Sequence, residues 1–159
     1  MELSSADHRH LDHAIAQALA AEAAGNLPVG AVLAIGDEVI AAAGNALLVP
    51  AYDPGRHAEI EAIRAVPRER WPEAAAMTCY TTLEPCVMCM GSLLLHGVRR
   101  VVFGAVDPTG GAGPLLDHLP AYYERGVLTW IGPAAPARCD PLHARVDARF
   151  TALPCGARR

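Results

Sequence analysis

The sequence predicts an α/β fold: a three-layer α/β/α sandwich, with helices on both faces of one mixed five-stranded sheet. Three observations predict it. Apolar runs of strand length alternate with segments whose apolar residues recur at helical spacing. Gly36-Asp37 makes a tight turn between two such runs, which pairs them as an antiparallel hairpin. Further on, a strand, a helix and a strand follow one another over a connection too long for a hairpin, which implies a parallel, right-handed crossover. At 159 residues the chain reads as one domain, 1–159, long enough to bury a core of its own.

The first element is an amphipathic helix over 6–24. Leu11, Ala14, Ile15, Ala18 and Leu19 share a face, Ser4, Ser5 or Asp7 can cap the start, and Gly25-Asn26 with Pro28 ends it. His8, His10 and His13 read as a solvated helix start. Residues 29–35 form a continuous apolar strand and 38–43 its hairpin partner. A loop through Pro50 and Asp53-Pro54-Gly55 delivers the chain to His57 and a helix over 58–65, closed by Pro67. Residues 66–76 read as an exposed connection. A strand over 77–82, a helix over 86–96 ended by Gly97 and a strand over 98–103 make the crossover. The Gly- and Pro-rich stretch 107–113 is a loop. A short helix over 115–123, a strand over 127–131 and a helix over 139–151 complete the chain.

Composition excludes several classes. With 52% apolar and 19% charged residues the chain is not disordered. Its formal charge of −4, with 13 Arg and no Lys, does not suit a broad face that grips nucleic acid by counterion release. No apolar run reaches membrane-spanning length, and charged and His residues interrupt any signal-peptide pattern near the start. Five Cys with one Cys-x-x-Cys favour metal over disulfides, and a reducing cytoplasm is the expected compartment. Trp71 and Trp130 read as packing residues rather than stacking platforms.

Chemistry concentrates in His57-Ala58-Glu59 and Pro85-Cys86-Val87-Met88-Cys89. Cys86 and Cys89, three apart, put both sulfurs on one side of a first helical turn, where the helix dipole favours thiolate. One imidazole and two thiolates suit Zn²⁺ and leave a fourth position for water, whose pKa zinc brings down to about 7. Glu59 is not expected to be a ligand; it is placed to take a proton from that water and return it to a leaving group. This suits attack of hydroxide on an sp² carbon bearing an amine, with loss of ammonia. The bland alternative is a zinc-braced binding module, which needs a fourth protein ligand from Cys79, Cys139, Cys155, His96 or His143. His-x-Glu followed by Pro-Cys-x-x-Cys is, however, the zinc-deaminase signature. Glu84 reads first as an acid favouring the start of the Cys helix, and second as a border of a substrate pocket.

Beyond that signature, Pro28-Val29-Gly30-Ala31-Val32, Asn45, His57-Ala58-Glu59-Ile60, the run from Tyr80 to Cys89 and Val101-Val102-Phe103-Gly104-Ala105 resemble the cytidine deaminase-like superfamily. The match is nearest the branch of bacterial tRNA adenosine, guanine and cytosine deaminases and covers roughly residues 8–119. The resemblance implies a five-stranded α/β/α fold, a zinc hydrolase and a homodimer. Carried onto this chain, it implies that His57, Cys86 and Cys89 hold Zn²⁺ and Glu59 shuttles protons. It also implies that Asn45 hydrogen-bonds the base, the Ala58 backbone borders it, and the loop at Asp107 lies at the substrate mouth. Phe150, if the last helix folds over the site, shapes the pocket. Two departures bear on substrate. Tyr122-Tyr123-Glu124-Arg125-Gly126 stands where the tRNA enzymes carry Asn-His-Arg, and Phe150 has no adjacent aromatic. Only Arg145, Arg149, Arg158 and Arg159 supply charge near the end. These departures favour a small nucleobase or nucleoside, with tRNA as the alternative.

Overall fold

The structure, a computed structural model, describes residues 2–123 and 128–152. The start of the strand expected over 127–131, Glu124 to Gly126, Cys155, Arg158 and Arg159 lie outside the described residues. In chain order the elements are α1 (Ser5–Ala23), β1 (Gly30–Ile35), β2 (Glu38–Gly44), α2 (Ala58–Ala65), β3 (Thr78–Leu83), α3 (Val87–Leu95), β4 (Arg100–Ala105), β5 (Thr129–Ile131) and α4 (Pro136–Thr151). The strands form one sheet in the order β2-β1-β3-β4-β5. β1 is antiparallel to both β2 and β3, while β3, β4 and β5 run parallel. The mixed sheet and the parallel crossover through α3 are as the sequence predicts.

Two cores lie on opposite faces of the sheet. On one, Ala58, Ala62 and Ile63 of α2 and Leu93 of α3 pack on Ala31, Leu33, Cys79, Val101 and Phe103. On the other, Leu11 and Ala14 of α1 pack on Val32, Ala34, Tyr80 and Val102. α4 starts on the α1 face, where Cys139 and Leu142 meet Ile15, Ala18 and Ala105. Its later turns leave that face: Val146 joins the α2–α3 core and Phe150 packs against it. α4 therefore passes over one end of the sheet, and the site lies under that passage.

Local chemistry explains the boundaries. Ser4 caps α1 reciprocally with Asp7. α3 ends in a paired motif, Gly97 N–H to Leu94 O and Val98 N–H to Leu93 O, with Gly97 at φ +90, a conformation that favours glycine. That motif delays β4 to Arg100, two residues later than expected. Residues Arg68–Ala76, expected as a connection, form a 3₁₀ segment with Pro72 inside it. The helix expected over 115–123 is a 3₁₀ turn, Gly113–His118. Pro120 turns Leu119 extended and ends it. His10, expected in solvent, is buried; its Nε2 lies 2.8 Å from Gly36 O and its ring packs on Tyr80.

Asp7 also anchors α1 to the sheet. Its carboxylate accepts from the Tyr80 hydroxyl at 2.7 Å and from Arg100 at 2.7 and 3.1 Å. Burial alone would raise its pKa, but Arg100, Tyr80 and Ser4 outweigh burial and hold the group well below the usual carboxylate range. Replacing Asp7 by Ala strands a guanidinium and a phenol at a largely buried site. The expected loss is about 3 kcal/mol in denaturant unfolding at neutral pH. Because the folded pKa is depressed, the wild-type advantage is present above the ordinary Asp value and shrinks as pH falls below it.

Candidate active site

Two helix starts meet at the carboxyl ends of the parallel strands. His57 is the N-cap of α2 and Cys86 the N-cap of α3, and neither side chain caps its own helix. Both are therefore free to turn toward one point, which Cys89 in the first turn of α3 also faces. Pro85 precedes the cap rather than opening the helix. His57 Nδ1 lies 3.6 Å from each sulfur and the sulfurs lie 3.7 Å apart. A tetrahedral zinc with Zn–S of about 2.3 Å and Zn–N of about 2.0–2.1 Å requires N···S edges of about 3.6 Å and an S···S edge of about 3.8 Å. The three donors already stand at those separations, so the residues fit the metal.

Among the described residues this is the metal-type cluster, and it has three members. Among the described residues the other candidate ligands lie elsewhere. Cys79 is buried in β3, and Cys139 packs against Gly104 near the α1 face. His96 stacks on Trp71, and His143 lies 3.4 Å from Asp147. The contact with the Cys89 sulfur at 3.7 Å, with His57 alongside, pulls the Cys86 thiol down to about 4, into the thiolate form that metals bind. The same contact and burial push Cys89 up. The contact with Cys86 raises His57.

Glu59, in the first turn of α2, is 3% exposed. One carboxylate oxygen accepts from Thr81 Oγ1 at 3.1 Å and the other lies 3.4 Å from Cys89 Sγ. Burial pushes its pKa up, and a buried carboxyl that takes and releases a proton readily is what acid–base work needs.

A cavity opens over this cluster. His57, Glu59 and Cys86 face it from below, and Leu27, Val29, Asn45, Leu83, Glu84 and Asp107 form its walls. Val146, Asp147 and Phe150 of α4 close it from above. The structure thus brings Asn45, Asp107 and Phe150 to one wall or another of the same space. Asn45 Oδ1 accepts from Leu47 N–H, so its amide N–H donors are what it can offer a ligand. Ala58 sits between His57 and Glu59 with its methyl in the core and is not part of the cavity wall.

Glu84 corrects an expectation. It stands before the Cys86 cap, and its carboxylate serves the loop after β4 rather than the α3 dipole. It accepts from Asp107 N–H, Gly113 N–H and Trp130 Nε1–H. Asp107 Oδ1 in turn accepts from the Thr109 N–H and hydroxyl and from Gly110 N–H, which shapes the loop. A Cβ on Gly111 or Gly113 would fall 2.4 or 2.6 Å from the Glu84 oxygens, so only glycine lets the loop wrap this side chain. Trp130 packs on Phe103, as a packing residue should. Sequence reasoning missed Val146 and Asp147; Val146 and Phe150 carried a signal in their shared helix face, and Asp147 carried none.

A three-donor cluster beside a buried carboxylate, under a cavity, can hold a metal ion and move protons to and from a bound ligand. The chain belongs to the family described by the cytidine and deoxycytidylate deaminase zinc-binding region, whose model matches residues 4–105. It is 43% identical over 117 residues to a tRNA-specific adenosine deaminase of Bacillus subtilis, covering 71% of this chain and 70% of that one. It is 38% identical over 104 residues to a probable cytosine deaminase of Schizosaccharomyces pombe, covering 65% and 62%. A solved structure from work on A-to-I editing by tRNA:A34 deaminases superposes with a TM-score of 0.73 at 30% identity, covering 85% of this chain and 99% of that one. The protein is therefore a zinc-binding deaminase, a hydrolase acting on C–N bonds of nucleobases or nucleosides. Among the described residues no helix is long and apolar enough to cross a membrane.

Proposed function

We propose that this chain hydrolytically deaminates a small nucleobase or nucleoside, with His57, Cys86 and Cys89 holding Zn²⁺ and Glu59 moving protons. The observation that carries the reading is Glu59: a buried carboxylate on the cavity floor, beside the ligand cluster. When bound, zinc supplies a Lewis acid that lowers the pKa of water to about 7. Glu59 takes a proton from the attacking water. The water oxygen bonds to the ring carbon, the C–N bond breaks, and the amine leaves as ammonia. One water proton ends on the ammonia and the other on the adjacent ring nitrogen. Asn45 donates to a ring acceptor, the Glu84-anchored loop borders the mouth, and Val146 and Phe150 offer apolar surface to the ring while excluding solvent.

Charge supports a small substrate. The cations described on α4 are engaged within the chain: Arg138 with Asp12, Arg145 with Glu22 at 2.6 Å, and Arg149 with the Asn26 carbonyl at 3.0 Å. Three acids, Glu84, Asp107 and Asp147, line the cavity above Glu59. A phosphate backbone is held by free cations, and this rim opposes it. A second reading, a tRNA adenosine deaminase, is favoured by the names of the 43% identical relative and of the 30% identical structure.

An ammonia-release screen separates the two readings, with free purines, free pyrimidines, nucleosides and an anticodon hairpin as substrates. The expected result is turnover of a free base or nucleoside and none of the hairpin. Turnover of the hairpin alone, with binding that weakens steeply in salt, would establish the second reading instead.

A homodimer is part of the proposal, supported by the apolar, exposed Val87, Met88 and Leu95 on α3. Light scattering should give twice the 16.7 kDa chain mass, and a monomer at micromolar concentration would remove this part. The compartment proposed is the reducing cytoplasm, which keeps Cys86 and Cys89 available as thiolates.

A further inference from the structure

We propose that Thr81 is a positioning residue for Glu59: its hydroxyl holds one carboxylate oxygen and so reserves the other for proton transfer. The inference rests on the proposed role of Glu59 and adds a residue to it.

Thr81 lies on the central strand β3, paired with Ala31 of β1 on one side and Phe103 of β4 on the other. Ladder hydrogen bonds on both edges hold its backbone. Side chains alternate along a strand. Thr82 sends its hydroxyl to the α1 face, where it accepts from Gly30 N–H at 3.1 Å. Thr81 therefore faces α2, fully buried, and its Oγ1 donates to Glu59 Oε1 at 3.1 Å. A β-branched side chain on a fixed strand has little rotameric freedom, so this donor is a rigid reference point.

Glu59 has no such rigidity of its own. Its side chain turns about three torsions, and α2 fixes only the Cα. With Oε1 held by Thr81, Oε2 is left on the ligand side, 3.4 Å from Cys89 Sγ. The two oxygens thus have separate tasks: one anchors, the other exchanges the proton between water and the departing amine. Without the anchor the carboxylate swings about its last torsion and the reacting oxygen is misplaced. A misplacement of about 1 Å can cost about 100-fold in rate.

The test is a set of variants on the zinc-loaded protein, assayed with whichever substrate the ammonia screen identifies. Thr81→Val keeps the shape and removes the hydroxyl. It should lower kcat about 10- to 100-fold with KM and zinc content unchanged. Thr81→Ser restores the donor and should recover most of the loss. Thr81→Val in the Glu59→Gln background should add nothing, because the two residues act as one unit. Should Thr81→Val fail to fold, Thr81→Ala asks the same question, with Thr81→Ser again as the rescue.

An unchanged kcat in the hydroxyl-less variant, a loss carried in KM or zinc content, or no recovery with Ser would overturn the inference. Those results leave the proposed function standing so long as Glu59→Gln lowers kcat by about 10²–10⁴-fold. Full turnover by Glu59→Gln would instead remove the proposed function itself.

Discussion

Glu59→Gln is expected to lower kcat by about 10²–10⁴-fold, the usual share of a positioned acid–base group, while zinc content stays at one per chain. Gln keeps the length and shape of Glu. Its carbonyl can still accept from Thr81 Oγ1, and its NH₂ can still lie beside the Cys89 sulfur. What it cannot do is take a proton and return it. The substitution also removes a carboxyl whose ionisation burial already opposes, so stability should hold or rise slightly. Turnover compared with metal content separates this from a structural role. An active Glu59→Gln protein, or one that loses its zinc, would show that Glu59 is a ligand or a bystander.

Cys89→Ala is expected to act through the metal. Cys89 is fully buried in the first turn of α3 and forms one corner of the three-donor cluster. Without it, two protein donors remain, and the zinc should be lost on dialysis. Turnover should then fall to the level of the Glu59→Gln blank. Metal that binds only the folded chain stabilises it by mass action. A chelator should therefore lower the Tm of the wild type and leave that of Cys89→Ala unchanged. Retained zinc with full turnover in Cys89→Ala would mean that another residue completes the site.

Much of this site was legible because its spacing is local. His57-x-Glu59 and Cys86-x-x-Cys89 each lie within one helical turn, and each pair occupies a helix start that Pro, Gly and apolar periodicity mark in the sequence. The central sheet was legible for the same kind of reason: the Gly36-Asp37 turn makes the hairpin, and the β3–α3–β4 connection forces a parallel pair. What was not legible depends on chain segments meeting from afar. Glu84 and the glycines that wrap it are 27 and 29 residues apart, and no local pattern announces that a carboxylate will be clasped by Gly111 and Gly113. The roof of Val146, Asp147 and Phe150 follows from the path of α4 across the end of the sheet, which amphipathicity alone does not define. His10 shows the same limit: a helix-start histidine is ordinarily wet, and here Tyr80 and the Gly36 carbonyl cover it.

The proposed zinc site has three protein side chains holding the ion and its fourth position open to solvent, next to Glu59. X-ray absorption at the zinc edge of the purified protein tests it most directly. The expected result is two sulfurs at about 2.3 Å, one imidazole nitrogen and one further light atom that a small ligand can replace. A third sulfur, a second imidazole, or a purified protein that takes up no zinc would contradict it.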